Sequence, residues 1–259
     1  MTDITFKGNT HRVPEYLDEL GSDLYVRWLV LVILFHQGLI TIREMKVKWM
    51  SALLGLRIDY TAYMPDIVSQ TDYQLHLLDA FFQTADTPDR QSPRIHTCRQ
   101  LLPDYEGWHG PADMLDGLSF GAFTDILTLL GIARKEDTPT DEIDRIYRDI
   151  TLLLYTHPEP GKVPDNILVL HAATFFTAVW EHIQHEPCNI NGELIDLSIL
   201  FRSSGRRQAD DRTGWTGITM EVAKEGIFGD YQSVRASSLW DVLLYLYRCK
   251  FSYLYAPKP

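Results

Sequence analysis

The residues most suited to chemistry lie in one short run, residues 181–188, which contains two histidines, two glutamates and a cysteine. His182 and His185 are three positions apart, a spacing that places two side chains on the same side of a helix. The run is not the HExxH zinc motif, because Glu181 precedes the first histidine and Pro187 ends the helix. Histidines also suit the negative end of a helix dipole. We therefore favour a polar helix C-terminus and keep a metal site at His182 and His185 as the alternative.

The sequence contains few other motifs that indicate catalysis. Neither a GxxxxGK[ST] phosphate loop nor a GxGxxG dinucleotide fingerprint occurs. The three cysteines, Cys98, Cys188 and Cys249, lie far apart and form no CxxC pair. Residues 141–149 alternate acidic and basic side chains at i,i+4 spacing, which is typical of an exposed helix face rather than of paired catalytic carboxylates. No cofactor is expected, and a non-enzymatic protein is favoured.

The balance of charge narrows the choice of partners. The chain has 24 Lys and Arg against 35 Asp and Glu, a formal net charge of −11 at pH 7. A surface of this sign repels the phosphate backbone of nucleic acids and anionic lipid headgroups. The basic stretch 202–212 is interrupted by Asp210 and Asp211, so we interpret it as a solvated loop. We expect no nucleic-acid partner.

Three features indicate a cytoplasmic protein without membrane association. The first residues lack the charged start and apolar core of a secretory signal. The longest apolar run, residues 28–35, is eight residues long, whereas about 20 are needed to span a bilayer. The odd number of widely separated cysteines argues against a disulfide framework and fits a reducing compartment.

Hydrophobic spacing predicts a mostly α-helical, multi-helix globular bundle with a small N-terminal β-hairpin. Ile4 and Phe6 alternate with polar residues before a Lys-Gly-Asn turn, which is the hairpin signal. Thr41 and Glu44 form a capping-box pattern at the start of a helix, and Gly131 marks a predicted helix end. Residues 194–201 are predicted to form a short helix or a strand. The helices are predicted at about 22–35, 41–55, 67–82, 118–130, 140–155, 165–181, 215–224 and 237–251.

A proline-rich stretch divides the helical pattern in two. Residues 84–113 contain four prolines among charged residues with little periodicity, which predicts a long connection. Residues 1–83 are then an N-terminal lobe of hairpin and helices, and residues 114–259 are a C-terminal helical lobe. One continuous domain is the alternative.

Aromatic side chains concentrate near the C-terminus, and such side chains are enriched at protein interfaces. Trp240, Leu243, Leu244 and Tyr247 follow helical spacing and predict a buried stripe. The apolar tail after them must rest on the protein's own body or on a partner. The candidate partner-binding residues are Trp215, Phe228, Tyr231, Trp240, Tyr253 and Tyr255.

Three stretches, which begin at Ile4, Ala52 and Gly214, resemble the tail-assembly-chaperone-like proteins of bacterial prophages. The first is ITFKGNTHRVPE at residues 4–15 with LDEL at 17–20, and the second is ALLGL at 52–56. The third comprises GWTGI, VAKEGIFG and LWDVLLYL, which begin at Gly214, Val222 and Leu239. The resemblance implies a helical, non-enzymatic protein that binds a long phage structural protein during assembly. It carries over no catalytic residues.

Together these observations predict a protein-interaction or assembly-chaperone protein of prophage origin, associated with tails. Its partner is expected to be a polypeptide, for which a phage structural protein is the candidate, and homo-oligomerisation is compatible with the pattern. The alternative is a metal-dependent enzyme that uses the helix end at His182 and His185.

Overall fold

The computed structural model describes residues 1–6, 8–55, 78, 80–84, 91–190, 192–201 and 213–255. Over these ranges the chain forms eight α-helices and four two-stranded antiparallel hairpins. This confirms the predicted mostly α-helical fold class with a small N-terminal β-hairpin. None of the helices in the described ranges is both long and apolar enough to cross a membrane. The chain divides into two compact units, Met1–Leu102 and Pro103–Pro259.

The first unit joins a β-hairpin to two packed helices. In the hairpin Thr2 pairs with Val13 and Phe6 pairs with Asn9. Thr41 caps the second helix by accepting from the backbone N–H of Glu44, whose carboxylate accepts from the Thr41 N–H at 2.7 Å, so the predicted capping box is confirmed. The elements are β1 (Thr2–Phe6), β2 (Asn9–Val13), a 3₁₀ helix (Leu17–Glu19), α1 (Ser22–His36), α2 (Ile42–Leu53), β3 (Phe82–Thr84) and β4 (Gln91–Pro93).

An aromatic cluster forms the core of this unit. Trp28 and Trp49 are fully buried with ring centroids 4.9 Å apart, and Phe81 lies 5.2 Å from Trp49. The indole N–H of Trp28 donates to the carbonyl of Arg94 at 2.9 Å, so its polar atom is satisfied inside the core. That bond and a second one, from Ser22 Oγ to the Leu101 carbonyl at 3.0 Å, attach the segment after β4 to α1.

The second unit is built around the long helix α5, which packs against α4, while α4 also packs against α3. Asp165 caps α5 by accepting from the Leu168 N–H at 2.8 Å. Its elements are β5 (Asp104–Tyr105), β6 (Trp108–His109), α3 (Phe120–Ala133), α4 (Thr140–Leu154), α5 (Asn166–His185), β7 (Cys188–Ile190), β8 (Glu193–Ile195), α6 (Gly214–Glu225), α7 (Tyr231–Ala236) and α8 (Leu239–Tyr255), with 3₁₀ helices at Asp113–Leu115 and Leu197–Leu200.

A close approach between α7 and α3 fixes the C-terminal part of this unit. A Cβ on Gly121 would lie 2.9 Å from the backbone carbonyl oxygen of Arg235, so only glycine permits the contact. The Arg235 guanidinium also binds the Asp125 carboxylate at 2.6 Å. This partner raises the pKa of the guanidinium above its usual range, so Arg235 keeps its positive charge.

The predicted and observed local structures differ at several points. The helix predicted over 67–82 lies mostly outside the described residues, and its described end is a 3₁₀ turn that leads into β3 at Phe82. Gly131 does not end helix α3, which continues to Ala133. The short helix α7 was not predicted. Residues 84–113, predicted as a connection, contain β4, β5 and β6, and the boundary between the units falls within them.

Candidate functional site

The C-terminal helix α8 carries a row of apolar side chains along one side. Trp240, Leu244, Tyr247, Phe251 and Tyr255 follow one another at spacings of three or four residues, and we call them the apolar row. At a rise of about 1.5 Å per residue the row is about 22 Å long. The Tyr247 and Phe251 rings stack with centroids 5.7 Å apart, and the Phe251 and Tyr255 centroids are 4.6 Å apart. The row is therefore a continuous aromatic surface toward its C-terminal end.

Exposure increases along this row. Trp240, Leu244 and Tyr247 are half-buried, whereas Phe251 is 46% exposed and Tyr255 is 65% exposed. The packed side of α8 is a different one, formed by Leu239, Val242 and Leu243, which are fully buried. Of the four residues predicted to form a buried stripe, only Leu243 is buried; the other three flank the packed side.

A pocket of about 410 Å³ lies beside the N-terminal end of α8. The residues that line it include Asp113, Asp116, Asp241 and Trp240, and we call it the acidic pocket. Leu244 also lines it, so Trp240 and Leu244 belong both to the pocket and to the apolar row. The pocket and the row therefore form one continuous surface.

Backbone pairing holds the start of α8 beside the start of α3. Ser119 and Ser238 form an antiparallel bridge. The Phe120 N–H donates to the Ser237 carbonyl at 2.9 Å, and the Leu239 N–H donates to the Leu118 carbonyl at 3.0 Å. These bonds bring the turn that precedes α3, which carries two of the aspartates, next to the first turn of α8, which carries the third.

The turn before α3 has an unusual backbone. Met114 and Leu115 have φ values of 57° and 61°, in the left-handed region that large side chains rarely adopt. Such conformations cost of order 1–3 kcal/mol each and persist only where the surrounding structure enforces them. Here the Leu115 side chain is fully buried, and the Ala112 N–H donates to the Asp116 carbonyl at 2.9 Å. The resulting turn presents Asp113 and Asp116 at the pocket.

Besides the turn before α3 and the first turn of α8, strand β7 also lines the acidic pocket. This strand follows α5 in the chain. Cys188 is 1% exposed, and its thiol lies 3.9 Å from the Glu186 carbonyl oxygen. The Asn189 side chain accepts from the Gly192 N–H at 3.0 Å, which holds the turn of the β7–β8 hairpin. Across this hairpin Asn189 pairs with Leu194, which is 76% exposed. Paired residues share a face of a hairpin, so an exposed apolar side chain lies next to the pocket wall.

The pocket has the electrostatic character of a site for a cation. Its lining, within the part of the chain that the structure describes, includes three aspartates and no Lys, Arg or His. Aspartates are negatively charged at neutral pH, and an indole ring attracts cations through the negative face of its π system. An ammonium or guanidinium group is thus the chemical partner that this lining favours.

The candidate partner-binding residues do not form one surface. Trp240 and Tyr255 lie in the apolar row. Tyr253 is 73% exposed on another side of α8, and Tyr231 is the half-buried first residue of α7. Phe228 is half-buried with its ring 5.7 Å from that of Tyr245.

Trp215 belongs to an aromatic cluster inside the second unit. Its ring lies 6.1 Å from Phe120, 5.8 Å from Phe123 and 6.3 Å from Trp180. Phe120 and Phe123 are fully buried, so the principal contacts of this indole are with the core. Trp215 therefore stabilises the packing of α6 on α3 and α5 rather than extending the apolar row.

The two candidate metal ligands make local contacts at the end of α5. His182 Nδ1 lies 3.5 Å from a carboxylate oxygen of Glu186, and His185 Nδ1 donates to the Glu181 carbonyl at 2.9 Å. These are the contacts of a polar helix C-terminus. Among the described residues no group of three His, Cys, Asp or Glu side chains is placed to hold a metal ion.

Residues 117–121, Gly-Leu-Ser-Phe-Gly, match the GxSxG pattern of a nucleophile elbow. The structure gives Ser119 a different role, because it is the N-cap of α3 and its hydroxyl accepts from the Ala122 N–H at 3.2 Å. Its φ and ψ of −75° and 150° are ordinary for an extended residue, unlike the strained turn of an elbow. The pattern is here a helix-capping sequence.

A second set of polar contacts lies at the β5–β6 hairpin. His109 Nδ1 and the Asp104 carboxylate are 2.6 Å apart, and both side chains are mostly exposed. The Tyr105 hydroxyl donates to Asp165 at 2.9 Å. Burial and this hydrogen bond raise the pKa of Tyr105 above its usual range, so the phenol stays protonated as a donor. Because Asp165 also caps α5, the contact fixes the hairpin to that helix.

Sequence reasoning missed the three aspartates of the acidic pocket. The signals were weak: Asp116 precedes a glycine in a turn pattern, and Asp241 lies in the first turn of a helix, where acidic residues are common. Each of these has an ordinary structural explanation when taken alone. Their convergence depends on the pairing of residues 118–120 with residues 237–239, which the sequence does not reveal.

Comparison of the chain with protein-family models, with curated proteins and with solved structures finds no match.

Proposed function

We propose that this chain is a non-enzymatic protein-interaction protein, with an assembly-chaperone role, that holds a polypeptide partner against the apolar row of α8. The observation that carries the proposal is the exposure of aromatic side chains at the C-terminal end of the row, with Phe251 at 46% and Tyr255 at 65%. Leu254, on the same side of the helix, is also 46% exposed. Contiguous exposed apolar surface of this kind is typical of sites that bind other proteins.

The geometry of the row supports binding of a helical segment. Side chains at spacings of three or four residues form a ridge that fits the groove of a second helix. Recognition of an amphipathic helix depends on such anchor positions. Tyrosine, tryptophan and phenylalanine also contribute large contact areas with few rotatable bonds, so little conformational entropy is lost when they are buried.

The class of partner is part of the same proposal. The resemblance to tail-assembly-chaperone-like proteins of prophages suggests a phage structural protein as the partner. A net charge of −11 supports such a role, because a strongly charged chaperone stays dispersed while it holds an apolar segment. The metal-dependent alternative has only the two histidines of the α5 end in its favour.

Site-specific photo-crosslinking in the native host tests the proposal. A photoreactive phenylalanine analogue replaces Phe251 in one version of the chain and Leu152 in the other. Leu152 is the matched control, because it is an apolar residue with 49% exposure on α4, far along the chain from α8. We expect a discrete polypeptide adduct from position 251 and none from position 152. The adduct is then identified by mass spectrometry and coexpressed with the chain.

The coexpression decides the chaperone role. We expect the captured polypeptide to stay soluble with the wild-type chain and to aggregate with the Phe251→Ser/Tyr255→Ser variant. Both replaced residues are exposed, so the fold itself is expected to tolerate the change. Identical adducts from positions 251 and 152, or no adduct from position 251, would contradict the proposal. A captured polypeptide that stays soluble with the variant would remove the chaperone role.

A further inference from the structure

We propose that the acidic pocket takes the Lys or Arg side chain of the partner segment whose apolar residues lie along the apolar row. The inference rests on the proposed function and adds the chemistry of the partner. The bound segment is an apolar helix with a basic residue at the end that meets Trp240. The surface occupied runs from Asp113 and Asp116, past Asp241, to Tyr255.

Shared residues connect the two parts of this surface. Trp240 and Leu244 line the pocket and also begin the apolar row, so one segment contacts both without a change of direction. From Leu244 to Tyr255 the row extends about 16 Å, which matches about three turns of a partner helix. Beyond the pocket, exposed Leu194 supplies an apolar contact for the stem of the basic side chain or for the residue next to it.

Charge decides what enters the pocket. The described lining contains three aspartates and no basic residue, and the surrounding chain is itself strongly acidic. A cationic head forms charge-assisted hydrogen bonds with carboxylates, and its long methylene stem packs on apolar walls such as Trp240 and Leu244. The volume of about 410 Å³ is within the range of about 300–1,000 Å³ in which proteins enclose ligand groups.

The spread of the carboxylates favours a side chain over a metal ion. Asp113, Asp116 and Asp241 are not among any described group of three placed to hold one ion. Arg presents five N–H donors and Lys presents three, on a flexible stem that reaches carboxylates at separate positions. Trp240 adds a cation–π contact that a hydrated metal ion does not exploit in this way. A basic side chain therefore matches both the carboxylates and the indole of the lining.

Peptide selection on the full-length chain tests the inference. A displayed library of random 16-residue peptides is selected in parallel against the wild-type chain and three variants. Asp116→Asn/Asp241→Asn removes pocket charge, and the amide introduced at position 116 retains the oxygen that accepts from the Gly117 N–H at 3.0 Å. Asp144→Asn/Asp149→Asn is the matched control, because it removes two exposed aspartates from α4. The third variant is Phe251→Ser/Tyr255→Ser in the row.

We expect wild-type chain and the α4 control to enrich peptides with one Lys or Arg followed by apolar residues three or four positions apart. The pocket variant should enrich the apolar pattern without the basic residue. In the best peptide, replacing the basic residue by Gln should weaken binding about tenfold to the wild-type chain and less than about twofold to the pocket variant. Isothermal titration calorimetry measures both ratios.

Two results overturn the inference. One is that the basic residue is enriched equally in peptides selected on the wild-type chain and on the pocket variant, or that it is enriched in neither selection. The other is displacement of the peptide by 1,4-diaminobutane at the peptide's own concentration, because the pocket would then be a site for a free amine. If the row variant still enriches the same peptides, the proposed function fails instead. Loss of selection on the row variant alone, with no effect of pocket charge, leaves the proposed function standing and removes the inference.

Discussion

A buried histidine in α5 predicts that the second unit loses stability in mild acid. His171 is fully buried, its ring stacks on Phe175 at 5.6 Å with an interplanar angle of 15°, and Tyr155 lies 6.3 Å away. Burial lowers the pKa of His171 from 6.5 to about 3, because the low-polarity surroundings disfavour the charged imidazolium. The folded unit therefore holds this histidine neutral at pH values where the unfolded chain protonates it.

The sign and size of the effect follow from proton linkage. Between pH 6.5 and pH 3 the unfolded chain binds a proton that the folded chain does not, so stability falls as the pH falls. The contribution is fully present above pH 6.5. From pH 7 to pH 5 the linked protonation of this one group lowers the free energy of unfolding by about 2 kcal/mol.

Urea unfolding at pH 7 and pH 5 measures this loss in the wild type and in His171→Leu. Leucine at position 171 fills a similar volume but has no group to protonate. The loss of stability of this variant between the two pH values should therefore be about 2 kcal/mol smaller than that of the wild type. The comparison uses the change in unfolding free energy between pH 7 and pH 5 in each protein. Contributions from the other titrating groups, and from any packing change in the variant, are then the same in both terms and cancel. His185→Leu, exposed on the same helix, is the control and should keep the contribution that His171 makes.

Nuclear magnetic resonance of the imidazole protons gives an independent readout. We expect the resonance of His171 to stay at its neutral position from pH 8 to pH 5 while the fold persists. The reasoning is refuted if His171 titrates near pH 6 in the folded protein. It is also refuted if the wild type and His171→Leu lose the same free energy between pH 7 and pH 5.

Further predictions concern local packing and capping. Gly110→Ala should destabilise the second unit by about 1–3 kcal/mol, because the added Cβ would overlap the buried ring of Tyr155, whereas Gly131→Ala, inside α3 with open space around it, should raise stability by up to about 1 kcal/mol. Thermal unfolding compares the two glycine variants, and equal melting temperatures would contradict the packing argument. Thr41→Ala should destabilise α2 by about 1 kcal/mol, because the capping box is lost. We expect faster amide hydrogen exchange in the first turn of this helix. Unchanged exchange would show that the cap contributes nothing.

Much of the fold follows from local sequence rules. The capping pattern of Thr41 and Glu44 and the apolar spacing of α5 predict helices that the structure contains. These signals work because a helix depends on residues three or four positions apart. The short helix α7 escaped prediction because its six residues are too few for a periodic pattern, and its place is set by contacts of Arg235 with α3.

The candidate site depends far more on tertiary structure. Sequence reasoning identified Trp240 and Tyr255 as aromatic residues near the C-terminus, and both lie in the apolar row. It also placed Trp215 with them, although that half-buried indole packs against the buried rings of Phe120 and Phe123. Composition shows that an aromatic residue is present, but whether its ring is covered depends on neighbours from other helices.

What the sequence by itself determined is the α-helical class, the N-terminal hairpin, the capping box at Thr41 and the acidic charge, because each depends on composition or on residues close together in the chain. Tertiary structure alone decided that Asp113 and Asp116 meet Asp241 around one pocket. Asp241 lies 125 positions after Asp116 in the chain. Their meeting requires the backbone pairing of Ser119 with Ser238 and the left-handed turn at Met114, and neither leaves a local pattern in the sequence.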